Sequence, residues 1–149
     1  MLLEEKFEVH ASREKVWTAL RDPAQMMPCI PGCESIEALD AENYTATVSV
    51  SLGPIKARFL LQISIDDEHR PERLSTTVSG EEGSRAGQLR ASNKMRLTEI
   101  DSTRTEVYYA SELTLTGRLG RFGLGMMKKT AQRLMARFRE SFTSLVETG

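Results

Sequence analysis

The feature that most constrains this chain is a change of hydrophobic period late in its sequence. Tyr44, Ala46, Val48, Val50 and Leu52 share one face of an extended run, and Thr45, Thr47, Ser49 and Ser51 share the other. After the Gly53-Pro54 turn signal, Ile55, Ala57, Phe59, Leu61, Ile63 and Ile65 repeat the pattern against Lys56, Arg58, Gln62 and Ser64. Asp66 to Pro71 reads as the next turn, and Leu74, Thr76 and Val78 as a weaker strand ending at Gly80. Leu89, Ala91, Asn93, Met95 and Leu97 form one further inward face, and Val107, Tyr109, Ser111, Leu113 and Leu115 another. Runs of this length joined by short turns predict an antiparallel sheet covered on one face. The period then becomes helical. Phe122, Met126 or Met127, Thr130, Leu134, Phe138, Phe142 and Leu145 recur over about seven turns, so one long C-terminal helix follows the strands.

The start of the chain supplies the remaining pieces. Leu3, Phe7 and Val9 alternate with charged residues as a strand. Ser12 is placed to cap a short helix burying Val16, Trp17 and Leu20. Asp22-Pro23-Ala24-Gln25 reads as a second helix start, cut short by Pro28, Pro31 and Gly32. The expected fold is therefore α+β: a curved antiparallel sheet of about seven strands around the C-terminal helix, with two short helices after the first strand. No repeat or linker divides the 149 residues, and a single domain over 1–149 is expected.

Composition narrows the function classes. An apolar fraction of 40% with 28% charged residues excludes a disordered or fibrous chain. The N-terminal Met1-Leu-Leu-Glu-Glu-Lys has no basic n-region or long apolar core, so the expected location is cytoplasmic. Cys29 and Cys33 are separated by three residues, not the two of a CxxC site, and His10 and His69 are distant in sequence, so no metal and no cofactor is expected. The thiols read as buried and reduced, with a reversible disulfide as the lesser alternative. Gly117-Arg-Leu-Gly-Arg-Phe-Gly-Leu-Gly lacks the spacing of either phosphate-binding glycine motif. Neither histidine neighbours a candidate nucleophile, and the carboxylate pairs fall in turns.

Inward polar residues are more informative. Tyr44, Thr76, Asn93, Tyr109 and Ser111 lie on faces otherwise built from aliphatic side chains and Met or Phe. A buried polar group must find a partner, either another such group or a ligand in an apolar cavity. Met26, Met27, Met95, Met126 and Met127 add flexible thioethers suited to irregular space. The Pro-Gly loop would place Met26, Met27 and Ile30 at the cavity mouth as a lid. Arg118 to Arg139 carries seven bases and no acid in a chain balanced overall at 20 bases to 21 acids. Helical spacing aligns Lys129, Arg133 and Arg137 as one ridge, which either docks on an anionic membrane or partner or pairs with acids such as Glu81 and Glu82. No aromatic platform interleaves these bases, so no nucleic-acid partner is expected.

Three segments carry a resemblance: Pro28-Cys-Ile-Pro-Gly-Cys33-Glu34, Ser51-Leu-Gly-Pro-Ile-Lys-Ala57 and Gly117-Arg-Leu-Gly-Arg-Phe-Gly123. With them the chain resembles the carbon monoxide dehydrogenase G-subunit (CoxG) family, within the START-like (SRPBCC) helix-grip superfamily. The resemblance implies a sheet gripping the C-terminal helix around a hydrophobic cavity. It further implies an accessory role to molybdenum-containing, CO-dehydrogenase-type hydroxylases, handling of a lipid or quinone-like molecule, and contact with the inner face of a membrane. The expected function is non-catalytic binding of a hydrophobic ligand. Met27, Ile30, Val50, Phe59 and Leu61 would line the pocket with Met95, Leu97, Leu113, Met127 and Leu134, while Asn93, Tyr109 and Ser111 orient the ligand. The alternative is a polyketide cyclase or dehydratase using the same cavity. Its acid–base pair would have to come from Tyr109 and Glu5, the one charge on the Leu3–Phe7–Val9 face.

Overall fold

A computed structural model of the chain describes residues 1–148 and, within them, every side chain except those of Phe122 and Leu124. The elements run β1 (Leu2–Val9), α1 (Arg13–Leu20), α2 (Pro23–Met26), a 3-10 turn (Met27–Cys29), β2 (Cys33–Ala38), β3 (Asn43–Leu52), β4 (Ile55–His69), β5 (Arg73–Glu82), β6 (Gly87–Asp101) and β7 (Arg104–Gly117). A second 3-10 turn (Arg118–Phe122) leads into α3 (Leu124–Thr148). The seven strands form one sheet in the order β1-β7-β6-β5-β4-β3-β2, antiparallel at every pairing. Placing β1 beside β7 puts the two ends of the chain's strand set side by side. The helices between β1 and β2 cross from one sheet edge to the other. α3 lies against β1, β3 and α1, so the sheet wraps it.

Local chemistry explains the short helices. Ser12 Oγ accepts from the Lys15 amide at 3.2 Å, which caps α1. Asp22 accepts from the Ala24 amide at 3.0 Å and from Gln25 Nε2 at 2.8 Å, with Pro23 in the first turn of α2. At Gly32 the backbone has φ 76°, and a Cβ there would stand 2.0 Å from the Ser49 carbonyl oxygen, so only glycine lets the loop close on β3.

Two strand boundaries differ from the sequence expectation. β4 continues through Asp66 to His69 because a bulge between Ile65 and Asp67 shifts the alternation without ending the ladder to β5. β2, which the alternation does not single out, is a short edge strand pairing only with β3.

The main core joins Val9, Val16, Trp17, Leu97 and Val107 to Phe142 and Val146 of α3. A second cluster lies at the other end of the strands, where Leu119 packs among Leu52, Ala57 and Phe59. Between these two packed regions the sheet and helices leave a gap.

Candidate functional site

The gap is a cavity of about 410 Å³. Leu20, Pro23 and Met26 close it from the α1–α2 side, with Ile30 of the following loop and Ile36 of β2. Its floor is the inward face of the sheet: Ile63 and Ile65 of β4, Leu74 and Val78 of β5, and Met95 of β6. Phe138 of α3 roofs it, in edge-on contact with Tyr109 at 6.1 Å between ring centres and stacked on Phe142 at 5.4 Å.

Polar groups interrupt this apolar wall at three places. At one end Arg21 donates from Nε to Glu68 Oε2 at 2.6 Å, from Nη1 to Tyr44 Oη at 2.8 Å and from Nη2 to the Ala41 carbonyl at 3.2 Å. Burial alone would lower the Arg21 pKa, but its bonds to Tyr44 and Glu68 outweigh that and raise it, so the guanidinium is charged and neutralised in place. On the floor, Asn93 Nδ2 donates to Thr76 Oγ1 at 3.2 Å. Beneath Phe138, Tyr109 Oη donates to Glu5 Oε2 at 2.6 Å, and Arg139 of α3 donates to the other oxygen of the same carboxylate. Burial, then the bond to Glu5, drives the Tyr109 phenol pKa far above its ordinary value, so the group is a fixed hydrogen-bond donor. The Glu5 carboxylate, with its side chain 13% exposed, thereby ties β1, β7 and α3 together.

Of the residues expected to form the pocket, Ile30, Asn93, Met95 and Tyr109 border this cavity. The others lie elsewhere. Val50, Phe59 and Leu61 pack in the second cluster around Leu119. Leu97 is 1% exposed in the main core. Ser111 and Leu113 sit farther along β7, half-buried, beside the start of β1. Met127 is buried at the start of α3, and Leu134 is half-buried one turn before Phe138. Met27 is half-buried outside the lining, its place at the mouth taken by Met26. The physical reason is common to all. Alternation fixes which face of a strand points inward, but not where along the strand the helices leave a gap. Arg21 and Ile36 belong to the site and were not anticipated. The signal for Arg21 is its position just before the Asp22-Pro23 helix start, which fixes it over the sheet edge.

The Lys129, Arg133 and Arg137 ridge is exposed, and among the described residues none of the three is ion-paired. Arg133 reaches the Ser51 carbonyl at 3.4 Å. Glu82 turns away from it, accepting instead from the Ser84 and Ala86 amides of its own turn.

A family model described as the carbon monoxide dehydrogenase G subunit (CoxG) matches residues 6–147. The chain belongs to this family. Among solved structures, a conserved protein from Geobacillus kaustophilus is similar to this CoxG family member at 25% identity and TM-score 0.89, covering 98% of this chain and 95% of that one. A START superfamily protein from Mycobacterium smegmatis matches at 12% identity and TM-score 0.77, over 99% of this chain and 97% of that one. The Zhui aromatase/cyclase from Streptomyces sp. R1128 matches at 14% identity and TM-score 0.73, over 99% and 93%. The last two likenesses carry the fold alone: the sheet wrapped around α3 is the START-like helix grip. No curated protein matches the chain. Among the described residues no helix of this CoxG family member is long and apolar enough to cross a membrane.

Proposed function

We propose that the chain binds a hydrophobic small molecule, a lipid or quinone-like compound, without transforming it. It would do so as an accessory protein to a CO-dehydrogenase-type molybdenum hydroxylase. The observation that carries the reading is the cavity itself, whose volume and apolar lining suit burial of a greasy ligand with a few polar groups to fix it. The family name supports the link to a carbon monoxide dehydrogenase partner. The unpaired ridge of Lys129, Arg133 and Arg137 is the surface we assign to docking, on the partner or at the membrane face.

The cyclase reading draws on the Zhui neighbour and on the Tyr109–Glu5 pair at the cavity wall. It is disfavoured by the pair's own bonding. The phenol donates to Glu5 and the carboxylate is further held by Arg139, which suits the pair to tying β1, β7 and α3 together. Native mass spectrometry of the purified chain, with solvent extraction, tests the proposal. A stoichiometric apolar molecule released on extraction is expected, and a chain that binds no added hydrophobic molecule would refute it.

A further inference from the structure

We infer that the cavity selects a neutral ligand bearing a hydroxyl group, and that Thr76 and Asn93 form the subsite that recognises it. The inference rests on the ligand-binding reading above. Thr76 and Asn93 stand directly opposite each other on β5 and β6, both on the cavity side. Asn93 Nδ2 donates to Thr76 Oγ1, which leaves the Thr76 hydrogen, the second Asn93 N–H and the Asn93 carbonyl oxygen without partners among the described residues. Among those residues no fully enclosed side-chain nitrogen or oxygen lacks a partner, so the unpartnered Asn93 oxygen is not sealed in protein, and both side chains border the cavity. Turning the amide over changes nothing essential. Thr76 would then donate to the amide oxygen, leaving both Asn93 N–H groups and the Thr76 lone pairs. Either way the pair presents free donors and a free acceptor side by side on an otherwise apolar floor.

A hydroxyl satisfies both, because it donates and accepts through one atom. A ketone, aldehyde or quinone only accepts and leaves the pair's acceptor bare, so within the quinone-like class the subsite fits the reduced hydroquinone, while a hydrocarbon leaves donors and acceptor alike bare in an apolar enclosure. Charge is excluded by the rest of the wall. Arg21 is already bound to Glu68, Tyr44 and the Ala41 carbonyl. Lys94 follows Asn93 in β6, so its exposed side chain points to the opposite face of the sheet. A carboxylate or phosphate would therefore be buried without a counter-charge. Size narrows the class further. A cavity of about 410 Å³ lies at the small end of ligand sites, which suits a fused-ring or single-chain alcohol or phenol.

The test is fluorescence titration of the full chain with hydroxypyrene, methylpyrene, pyrenecarbaldehyde and pyrenecarboxylate, four probes of nearly one shape. Wild type is expected to bind hydroxypyrene about tenfold more tightly than methylpyrene, with the carboxylate weakest. In Thr76→Val and in Asn93→Leu that gap should close while methylpyrene binding holds or tightens, and Thr76→Ser should keep it. Equal binding of hydroxypyrene and methylpyrene by wild type would overturn the subsite and leave the cavity reading standing. So would tightest binding of the carboxylate, or a hydroxyl preference that survives both apolar substitutions. Failure of all four probes to bind would overturn the cavity reading and the subsite with it. Should the apolar variants not fold, the wild-type series and Thr76→Ser decide the matter.

Discussion

Phe59 is 3% exposed and packs with Leu52, Ala57 and Leu119 in the second cluster, outside the cavity lining. Phe59→Ala removes a ring from a closed contact set, and such truncations cost about 3–5 kcal/mol. The lower end applies here, because the half-buried Val50, Leu61, Leu89 and Leu115 around the ring have room to relax into the void. We therefore expect a loss of about 3 kcal/mol. For a chain of this length, about 2–4 °C is lost per kcal/mol, so the thermal midpoint should fall by about 6–12 °C. Circular dichroism melts and urea titrations measure this directly. Affinity for a neutral hydrophobic dye such as Nile red, measured well below the midpoint, should stay within twofold of wild type. A folded Phe59→Ala protein that loses dye binding tenfold while keeping its melting temperature would refute the placement of this ring in the core.

Tyr109→Phe removes the donor to Glu5 and leaves the carboxylate to Arg139 alone; a loss of about 1.5–3 kcal/mol in urea unfolding is expected, the range for a bond to a charged group. In the wild-type protein Tyr109 should be the last tyrosine to ionise in an alkaline spectrophotometric titration. Its raised pKa means that the stability it contributes is present below pH about 10 and lost as pH rises above that. Asp101 accepts from the Thr103 amide and from Arg104 in the β6–β7 turn, which holds its pKa at about 2. Its contribution is present above pH about 4 and lost as pH falls toward 2, so Asp101→Asn should flatten the acid limb of the stability profile there. The Lys129→Glu/Arg133→Glu protein should lose any salt-sensitive pelleting that wild type shows with anionic liposomes; equal, negligible pelleting of both assigns the ridge away from membranes.

The fold was legible because its signals are local and periodic. Alternation marked the inward faces of β3 to β7, the capping residues Ser12 and Asp22 marked α1 and α2, and the change of period marked α3. The site was legible mainly in its polar part, with Ile30 and Met95 the apolar expectations that border the cavity. Of the five polar residues on inward faces, Tyr44, Thr76, Asn93 and Tyr109 border the cavity and Ser111 does not. A polar side chain on such a face is an exception that only a partner or a cavity can satisfy. Apolar inward residues carry no such mark. Phe59 and Ile63 lie two inward positions apart on β4, yet one fills a core and the other borders open space, because Leu119 reaches the first and nothing reaches the second. That difference is set by where the 3-10 turn after β7 and the α1–α2 pair come to rest. Both depend on contacts between segments far apart in sequence.

Val78→Trp tests most directly whether the space between the sheet and the helices is a binding cavity. Val78 is half-buried on β5, next in line to Thr76 on the cavity floor. An indole grown from this position has the cavity to enter and needs to displace no packed side chain. The account predicts that Nile red binding is abolished while the thermal midpoint is unchanged or raised, since a void is filled with apolar surface. Dye binding at wild-type affinity with the indole in place would contradict it, as would the destabilisation of about 1–3 kcal/mol that follows when a well-packed core is overfilled.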